Sequence, residues 1–329
     1  MNITVLAGGV GGAKFLQGVR LYANQAASSS ETPEVTAIVN TGDDFEHLGL
    51  HISPDLDTVM YTLAGINDPI QGWGIAGETW NFMGALEELD GQTWFRLGDR
   101  DLATHIERTT RLRAGQSLSA VTQRLCAQLQ VDHAVVPMSD DSVRTVVHTP
   151  AGPLAFQDYF VRQRAEPPLE RIVFDGVRDA RMSPALAAAL VSDALEAIVV
   201  CPSNPYLSIA PILAVPGVRE ALEQRRVPSI AVSPIIGGRA LKGPAAKIMR
   251  ELGATPSALA IAEFYRGLID ALVLDDTDAN LADAVAALAI QPIVTPTVMR
   301  DLAARKSLAY KIIESAHSRF ASARRGSMR

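Results

Sequence analysis

The sequence has few of the residues that usually perform covalent catalysis or hold transition metals. Among 329 residues there are two cysteines and six histidines. Cys126 and Cys201 have no metal-binding or redox spacing, so we expect two buried thiols. The sequence contains no GxSxG motif, and no nucleophilic triad stands out. These observations disfavour a covalent enzyme intermediate.

Long apolar runs and an excess of positive charge are missing as well. No apolar run reaches the roughly 18 residues of a membrane span, and the N-terminal segment lacks the basic start of a signal peptide. The formal net charge is -6, whereas nucleic-acid-binding proteins usually present a basic face. We therefore expect a cytoplasmic protein that binds neither a membrane nor a nucleic acid.

What the sequence does contain is an alternation of short apolar strands and helices. A strand in "NITVLAG" leads to a glycine turn over 8–12 and to a helix in "AKFLQGVRLYANQ". The polar connection "AASSSETPE" then leads to a second buried strand in "VTAIVNTGDD". This order predicts parallel pairing with a right-handed crossover.

The same alternation continues along the chain. Helices are predicted at 54–66, 79–89, 101–113, 116–129 and from an N-cap at Ser183 to Ala197. Further strands are predicted in "HAVVPMS", in a hairpin around 151–153, and at 198–201, 230–232, "ALVLDD" and "QPIVTPTVM". The predicted fold class is α/β, a Rossmann-like, doubly wound and mostly parallel sheet. We expect one domain over 1–317 with a helical insertion at about 65–130, and a basic, disordered tail over 318–329.

The glycine turn is the first candidate binding site. Gly8, Gly9, Gly11 and Gly12 separate a strand from a helix, and Lys14 follows. Free amide groups at a helix start, together with the helix dipole, attract phosphate. The motif is neither a Walker A loop nor a clean dinucleotide fingerprint, and a simple tight turn is the alternative.

Carboxylates follow the second strand. Asp43 and Asp44 come after Thr41 and Gly42, and a second pair, Asp55 and Asp57, follows Pro54 at the start of a helix. Clustered carboxylates are costly unless a cation or a hydrogen-bonding substrate compensates them. Mg²⁺ favours one or two carboxylates together with phosphate oxygens. The alternative is that the acids favour turn formation and the first helical turn.

Two more loops follow buried strands, and ligands of doubly wound sheets bind at the carboxyl ends of the strands. The first contains Ser203 and Asn204, and the second runs over 233–238 and includes Ser233 and Gly237. Lys242 and Lys247 lie nearby in sequence and can add positive charge to the rim. A simple turn is the alternative for each loop.

The predicted insertion contains a third polar cluster and three tryptophans. Asp99 and Asp101 are candidate helix caps, and His105 and Arg108 follow on the same helix. The tryptophans can form a wall for a planar ligand, although core packing is the commoner use; they are Trp73, Trp80 and Trp94. Phosphate-binding loops without a nucleophile favour direct displacement at phosphorus.

The motifs, taken together, resemble the 2-phospho-L-lactate transferase family (CofD, called FbiA in actinobacteria). The resemblance rests on these segments, in order: "TVLAGGVGGAKFLQGV", "IVNTGDDFEHLGLHISPDLDTVMYTLAG", "GWGIAGETW", "WFRLGDRDLATHIERT", "PMSDD", "CPSNPYLSIAPILAVPGVR" and "VSPIIGG". It implies a Rossmann-like fold, a Mg²⁺ requirement and a homodimer. It also implies transfer of a phospho-acyl group from a guanosine diphosphate adduct to the ribityl hydroxyl of Fo (7,8-didemethyl-8-hydroxy-5-deazariboflavin), with release of GMP, in coenzyme F-420 biosynthesis. The acid is lactate, enolpyruvate or glycerate according to lineage.

The resemblance also implies roles for the candidate residues. The glycine turn with Lys14 would face the donor diphosphate, Ser203 and Asn204 the nucleotide, and the loop from Ser233 the rim. Asp43, Asp44 and Asp57 would hold Mg²⁺, and Asp55 and Asp57 would act on the Fo hydroxyl. Asp57 as proton acceptor and action of all the acids through the metal both remain open.

Two other functions compete with this interpretation. Proteins resembling YvcK share the fold and a similar glycine loop, bind UDP-sugars and have a regulatory role. They typically lack the full "PDLDT" and "GDRD" pattern found here. An ordinary NAD(P)-dependent enzyme is disfavoured by the altered glycine spacing.

Overall fold

The computed structural model describes residues 2–26 and 34–327, so most of the polar connection predicted after the first helix lies outside the described residues. Within them the strands are β1 Asn2–Ala7, β2 Glu34–Val39, β3 Phe45–His47, β4 Leu50–Ile52, β5 Ala134–Pro137, β6 Arg144–Thr149, β7 Gly152–Ala155, β8 Arg171–Asp175, β9 Leu195–Val200, β10 Ser229–Val232, β11 Ile235–Ile236, β12 Arg239–Ala240, β13 Ala271–Leu274 and β14 Gln291–Val294. The α-helices are α1 Gly9–Ala26, α2 Pro54–Ala64, α3 Asn81–Glu88, α4 Asp99–Arg113, α5 Leu118–Gln128, α6 Pro184–Val191, α7 Ala210–Ala214, α8 Val218–Glu223, α9 Ala245–Glu251, α10 Ala258–Phe264, α11 Ala282–Ala286 and α12 Leu302–Ser327. Asp158–Arg162 and Pro205–Ile209 are π-helical, and Asp276–Leu281 is a 3₁₀-helix.

The main sheet has the order β14-β13-β10-β9-β1-β2-β5, and all its neighbours pair in parallel. The chain builds outward from β1 to β2 and β5, then returns to the other side of β1 with β9. The order of strands therefore reverses between β1 and β9, which is where doubly wound sheets open a ligand crevice. The α/β, Rossmann-like fold predicted from the sequence is confirmed.

Two apolar cores cover the two faces of this sheet. Consecutive residues of a strand point to opposite faces, so Val5 and Val199 pack with helices α1, α2 and α12. Leu6 and Val200 pack with α6 to α11 on the other face. Burial on both faces explains why the parallel strands read as continuous apolar segments.

Antiparallel pairs lie outside the main sheet. β6 pairs with β7 and β8 in a three-stranded sheet, and β3–β4 and β11–β12 form short hairpins. The sequence analysis predicted the β6–β7 hairpin but not β8 or the two short hairpins. Between β2 and β5, helices α3, α4 and α5 lie in the segment predicted as a helical insertion.

Three local predictions differ from the structure. The predicted turn over 8–12 is largely helical, because α1 already begins at Gly9. The helix that begins after Ser183 ends at Val191 rather than at Ala197, because Leu195 to Ala197 pair with β1 and this pairing overrides their helical propensity. The last helix continues to Ser327, so most of the segment predicted as a disordered tail has helical backbone.

The last helix packs along the first. At Gly18 on α1, a side chain would overlap the backbone carbonyl of Arg305 on α12. Glycine therefore lets the two helices approach closely. None of the helices in the described ranges is long and apolar enough to cross a membrane.

Candidate active site

A cavity of about 850 Å³ opens at the carboxyl ends of the parallel strands, where the strand order reverses. Loops that follow β1, β2, β9 and β10 contribute to its wall. Ten of the predicted site residues line it: Gly8, Gly9, Gly11, Lys14, Asp43, Asp55, Asp57, Ser203, Asn204 and Ser233. The cavity wall does not include Gly12, Thr41, Gly42, Asp44 and Gly237.

The glycine segment, residues 8–12, packs tightly against the loop after β9. The Ser203 hydroxyl donates to the Gly8 carbonyl oxygen at 2.7 Å and accepts from the Gly8 amide at 3.2 Å. A side chain at Gly11 would overlap the carbonyl oxygen of Pro202, and one at Gly8 would come within 2.6 Å of Asp55. These glycines are thus required by contacts with the protein itself. Gly9 has a φ of +61°, a conformation that glycine adopts without strain.

The other polar residues predicted at strand ends shape their own loops. The Asn204 side-chain oxygen accepts from the amides of Tyr206 and Leu207 at 3.0 and 3.2 Å, which caps the π-helical turn. The Ser233 hydroxyl bonds to both backbone groups of Ile235. These side-chain oxygens therefore build the cavity wall.

Three of the predicted binding glycines and hydroxyls are not part of the cavity wall. The Gly42 amide donates to the Asn40 side chain at 2.8 Å, and the Gly237 amide to Asp278 at 3.0 Å. Thr41 is 2% exposed, whereas Gly237 is exposed. The amides of Gly42 and Gly237 therefore fix the geometry of their own loops.

Asp43 and Asp55 form the acidic end of the cavity. Asn40 donates to Asp55 at 3.0 Å and Thr145 donates to Asp43 at 3.4 Å. Burial raises the pKa of Asp55 to about 6, against the hydrogen bonds from Asn40 and the Gly9 backbone. Burial and then the nearby Asp55 raise the pKa of Asp43 well above its usual range. Within residues 2–26 and 34–327 neither carboxylate has a cationic side-chain partner.

Asp44 does not line the cavity, although its charge raises the pKa of both Asp43 and Asp55. One of its oxygens accepts from the Ser53 hydroxyl at 2.7 Å and lies 3.1 Å from the His51 ring. The other oxygen is buried and has no partner in the described part of the chain. Asp44 therefore ties the β3–β4 hairpin to the start of α2.

Asp57 is bound by a buried arginine. Arg108 on α4, whose side chain is fully buried, donates to one Asp57 oxygen at 3.1 Å and makes a second, very short hydrogen bond to the other. Although burial opposes it, Asp57 raises the pKa of Arg108. The pair therefore connects α2 to α4, and both Asp57 oxygens are engaged.

A second polar pair joins the same two helices. The Tyr61 hydroxyl donates to Asp101 at 2.6 Å, and the His105 Nε2 atom lies 3.2 Å from the other Asp101 oxygen. Against the effect of burial, the His105 contacts lower the pKa of Asp101. Tyr61, Asp101 and His105 all line the cavity.

The residues predicted to hold the metal are not assembled as predicted. In the described ranges, one group of acidic and histidine side chains has its ligand atoms within 4.8 Å of one another, namely Asp57, Asp101 and His105. Arg108 lies 3.3 Å from the His105 Nδ1 atom and already binds Asp57, so its charge disfavours a cation there. Asp43, Asp44 and Asp57 do not form such a group.

Helix caps near this cluster also differ from the prediction. The Asp99 carboxylate accepts from the amides of Asn81 and Phe82 and so caps α3 instead of its own helix. Glu78 accepts from the amides of Arg100 and Asp101 at 2.8 Å and caps α4. Each cap lies about 20 residues from its helix, which local sequence rules do not detect.

Positive charge gathers on the wall next to the glycine segment. Burial, then Arg305 and Lys242, lower the pKa of Lys14, so these three cations lie close together. Lys242 donates to the Gln71 carbonyl oxygen at 3.1 Å, and Arg300 also lines the cavity. Lys247 is not in the wall, because it donates to Tyr159, Pro167 and Glu251 instead.

Aromatic side chains form another part of the cavity. Trp73 and Trp94 of the predicted wall line it, whereas Trp80 does not. Phe95, Phe156 and Phe160 were not predicted, and the last two stack at 5.3 Å with an interplanar angle of 9°. Phe160 lies in one of the two π-helical segments, a backbone form often found at functional sites.

Comparisons with known proteins identify the family of this chain. The model of the family described as 2-phospho-L-lactate transferase CofD matches residues 3–316. A phosphoenolpyruvate transferase of Streptomyces griseus is 43% identical over 96% of this chain and 98% of its own. Proteins with the same name from Streptomyces coelicolor (42%; 94% and 96% of the two chains) and Thermobifida fusca (43%; 85% and 88%) are similar too.

The chain is a transferase with a Rossmann-like α/β fold. It belongs to the CofD family, and the regulatory nucleotide-sugar-binding alternative is not favoured. Among solved structures, a UPF0052 family protein of Bacillus halodurans superposes with a TM-score of 0.59 over 95% of this chain and 98% of that chain. At 16% identity this likeness concerns the fold alone.

Proposed function

We propose that this chain transfers a phosphorylated three-carbon acid from its guanosine diphosphate ester to the ribityl hydroxyl of Fo, with release of GMP, in coenzyme F-420 biosynthesis. Membership of the CofD family is the observation that carries the proposal. The relatives named phosphoenolpyruvate transferase favour phosphoenolpyruvate as the transferred acid.

The reaction is a displacement at phosphorus. The Fo hydroxyl oxygen bonds to the phosphorus that carries the acid, the bond from that phosphorus to the bridging oxygen breaks, and GMP leaves with the electron pair. The hydroxyl proton passes to a basic group or to water. Positioning and charge neutralisation supply most of the rate in such reactions.

The glycine-segment wall is suited to the diphosphate. It combines the N-terminus of an 18-residue helix with Lys14, which has no ion-pair partner in the described ranges, and with Lys242. Helix N-termini and lysines are common phosphate ligands. Because Gly8 and Gly11 hold this helix against the loop after β9, the amides are fixed before the ligand binds.

Mg²⁺ fits the acidic end of the cavity. Asp43 and Asp55 are buried carboxylates without a cationic partner in the described part of the chain, and Mg²⁺ commonly takes two carboxylates and phosphate oxygens. These two aspartates would hold the ion, which supplies positive charge against the diphosphate when bound. Asp57 is less suited, because Arg108 already occupies both of its oxygens.

The aromatic part of the cavity is suited to Fo. Trp94, Phe95 and Phe160 offer flat apolar surface for a tricyclic ring. Gln157 donates to the Asp43 backbone carbonyl at 3.2 Å and so connects this part to the acidic end. A ring bound there would place its ribityl chain towards Asp43 and Asp55.

The test is a reconstituted transfer assay. Purified protein is mixed with Fo, GTP, a partner guanylyltransferase and phosphoenolpyruvate, 2-phospho-L-lactate or 3-phosphoglycerate, and products are read by mass spectrometry. We expect the phosphoenolpyruvate adduct and GMP, and loss of both with EDTA or with Asp43→Asn. No adduct from any acid, together with thermal stabilisation by a UDP-sugar but not by GDP, would refute the proposal. A cytoplasmic homodimer stays the expectation from the family resemblance.

A further inference from the structure

The acidic groups where α4 faces α2 at the cavity already have partners within the protein. Asp57 is bound by Arg108, and Asp101 is contacted by Tyr61 and His105. Among the residues that the structure describes, the carboxylates of Asp57 and Asp101 are thus engaged, and neither forms an ion pair with a cation from the segment before α4. A positive side chain in that segment therefore keeps its charge for a ligand.

Arg96 is such a side chain. It lines the cavity and is exposed. In residues 2–26 and 34–327 its guanidinium makes neither an ion pair nor a side-chain hydrogen bond. Its central carbon lies 4.0 Å from the centroid of the Trp80 ring. Stacking orients the guanidinium plane and leaves the N–H groups at its edge available for an anion.

Arg96 is separate from the cations of the glycine-segment wall. Those cations come from α1, from the loop between β12 and α9, and from α12 and the residues before it. Arg96 comes from the segment between α3 and α4, next to Trp94 and Phe95. The cavity thus offers positive charge from two different sides.

The proposed donor has an anionic group for each side. Its diphosphate matches the glycine-segment wall, and its third anionic group is the carboxylate of the three-carbon acid. That acid is esterified to the reacting phosphorus, at the end of the diphosphate that does not carry guanosine. Guanidinium groups bind carboxylates through two parallel hydrogen bonds, which a lysine cannot reproduce.

We propose that Arg96 binds the carboxylate of the three-carbon acid and so distinguishes the acid-bearing donor from GDP. The inference rests on the proposed function. It assigns to the stacked Arg96–Trp80 pair the recognition of the one donor group that the nucleotide itself lacks.

The test compares two ligands across three variants. Binding of GDP and of guanosine diphosphate esterified with lactate is measured by calorimetry for the wild type, Arg96→Met, Arg96→Lys and Arg100→Met. Arg100 is the matched control, because it is an exposed arginine close to Arg96 in sequence, in the first turn of α4, donates to the Ala76 carbonyl oxygen and lies outside the cavity wall. A lost bidentate charged contact corresponds to roughly a tenfold to hundredfold loss in affinity.

We expect Arg96→Met to weaken ester binding by about that factor, and to leave GDP binding within about twofold of the wild type. The affinity of Arg96→Lys for the ester should lie between those of Arg96→Met and the wild type, and Arg100→Met should bind the ester as the wild type does. In turnover, Arg96→Met should raise the KM for the donor and leave the KM for Fo unchanged.

Three results would overturn the inference: equal losses for GDP and the ester, a loss confined to Fo, or no loss at all. A wild-type protein that binds neither GDP nor the ester would instead refute the proposed function. The two failures are therefore distinguishable in one set of titrations.

Discussion

Asp57 on α2 accepts two hydrogen bonds from the guanidinium of Arg108 on α4, a side chain with no exposed surface. The pair joins the helix that carries Asp55 to the segment that forms the far wall of the cavity. This relationship changes the role expected of Asp57. Burial raises the pKa of its carboxyl, against the charge of Arg108, but both of its oxygens already accept hydrogen bonds from Arg108 and neither faces the substrate free of a partner.

The first prediction concerns this pair. Asp57→Asn should destabilise the protein by about 3–5 kcal/mol, because it leaves Arg108 buried without its counter-charge. Urea denaturation followed by circular dichroism measures the change. Glu107→Gln, which breaks a half-exposed pair with Arg111, is the control and should cost less than about 1 kcal/mol. An Asp57→Asn protein as stable as the wild type would show that the ion pair does not hold the two helices.

The second prediction concerns Asp55 and pH. Burial raises its pKa in the folded protein from the ordinary value of 3.8 to about 6, so folding is favoured by protonation at this site. The contribution is fully present below pH 3.8 and is lost as the pH rises through 6. In EDTA, the stability of Asp55→Asn relative to the wild type should therefore rise between pH 4 and pH 8, by on the order of 2 kcal/mol.

Thermal melts of both proteins at the two pH values measure this difference. Asn keeps the size of the side chain, so packing is conserved. Its NH2 group cannot accept a hydrogen bond, so any stability lost with a bond from Asn40 or Gly9 is the same at both pH values. If the two melting temperatures differed by the same amount at pH 4 and pH 8, the carboxyl charge would not be the cause. Transfer activity should be lost in the variant at either pH.

The third prediction separates two glycines. Gly11→Ala should destabilise the protein by roughly 1–3 kcal/mol, because its Cβ would overlap the backbone carbonyl of Pro202 and displace α1. Gly84 in α3 has open space around its Cβ position and no left-handed backbone, so Gly84→Ala should stabilise by about 0.5–1 kcal/mol. Chemical denaturation measures both. Equal effects would mean that the approach of α1 to the loop after β9 is not limiting.

The fourth prediction concerns the aromatic part of the cavity. Phe160→Ala should weaken Fo binding about tenfold, because a stacking surface is removed, and should leave GDP binding unchanged. Fluorescence titration with Fo measures the first and calorimetry the second. Tyr310→Ala, on the half-exposed face of α12 outside the cavity wall, is the control. A loss of GDP binding in Phe160→Ala would place the nucleotide in this part instead.

Much of the fold follows from local sequence patterns. The β1–α1–β2 unit could be predicted because continuous apolar strands and helical periodicity are local signals. The meeting of the loops after β1, β2 and β9 followed from the geometry of parallel sheets. Helix α6 was extended too far, because pairing of Leu195 with β1 is a long-range contact that local propensity does not encode.

Several residues of the candidate site could be predicted from the sequence, whereas the contacts between them could not. Asp43 and Asp55 were found because carboxylates at strand and helix ends stand out in a sequence. The partnership of Asp57 and Arg108 spans 51 positions and leaves no local trace. Phe156 and Gln157 were missed because they follow an ordinary antiparallel hairpin, and only the folded chain brings that hairpin to Asp43.

The close packing of α12 on α1 has a consequence for how the protein is made. Gly18 of the first helix touches the backbone of Arg305, and Arg305 is one of the charges that act on Lys14. During synthesis on the ribosome, the surroundings of the N-terminal end of the first helix are therefore complete only after nearly the whole polypeptide has emerged. A nascent chain that has not yet released the last helix should bind nucleotide poorly even though every glycine of the first turn is already present.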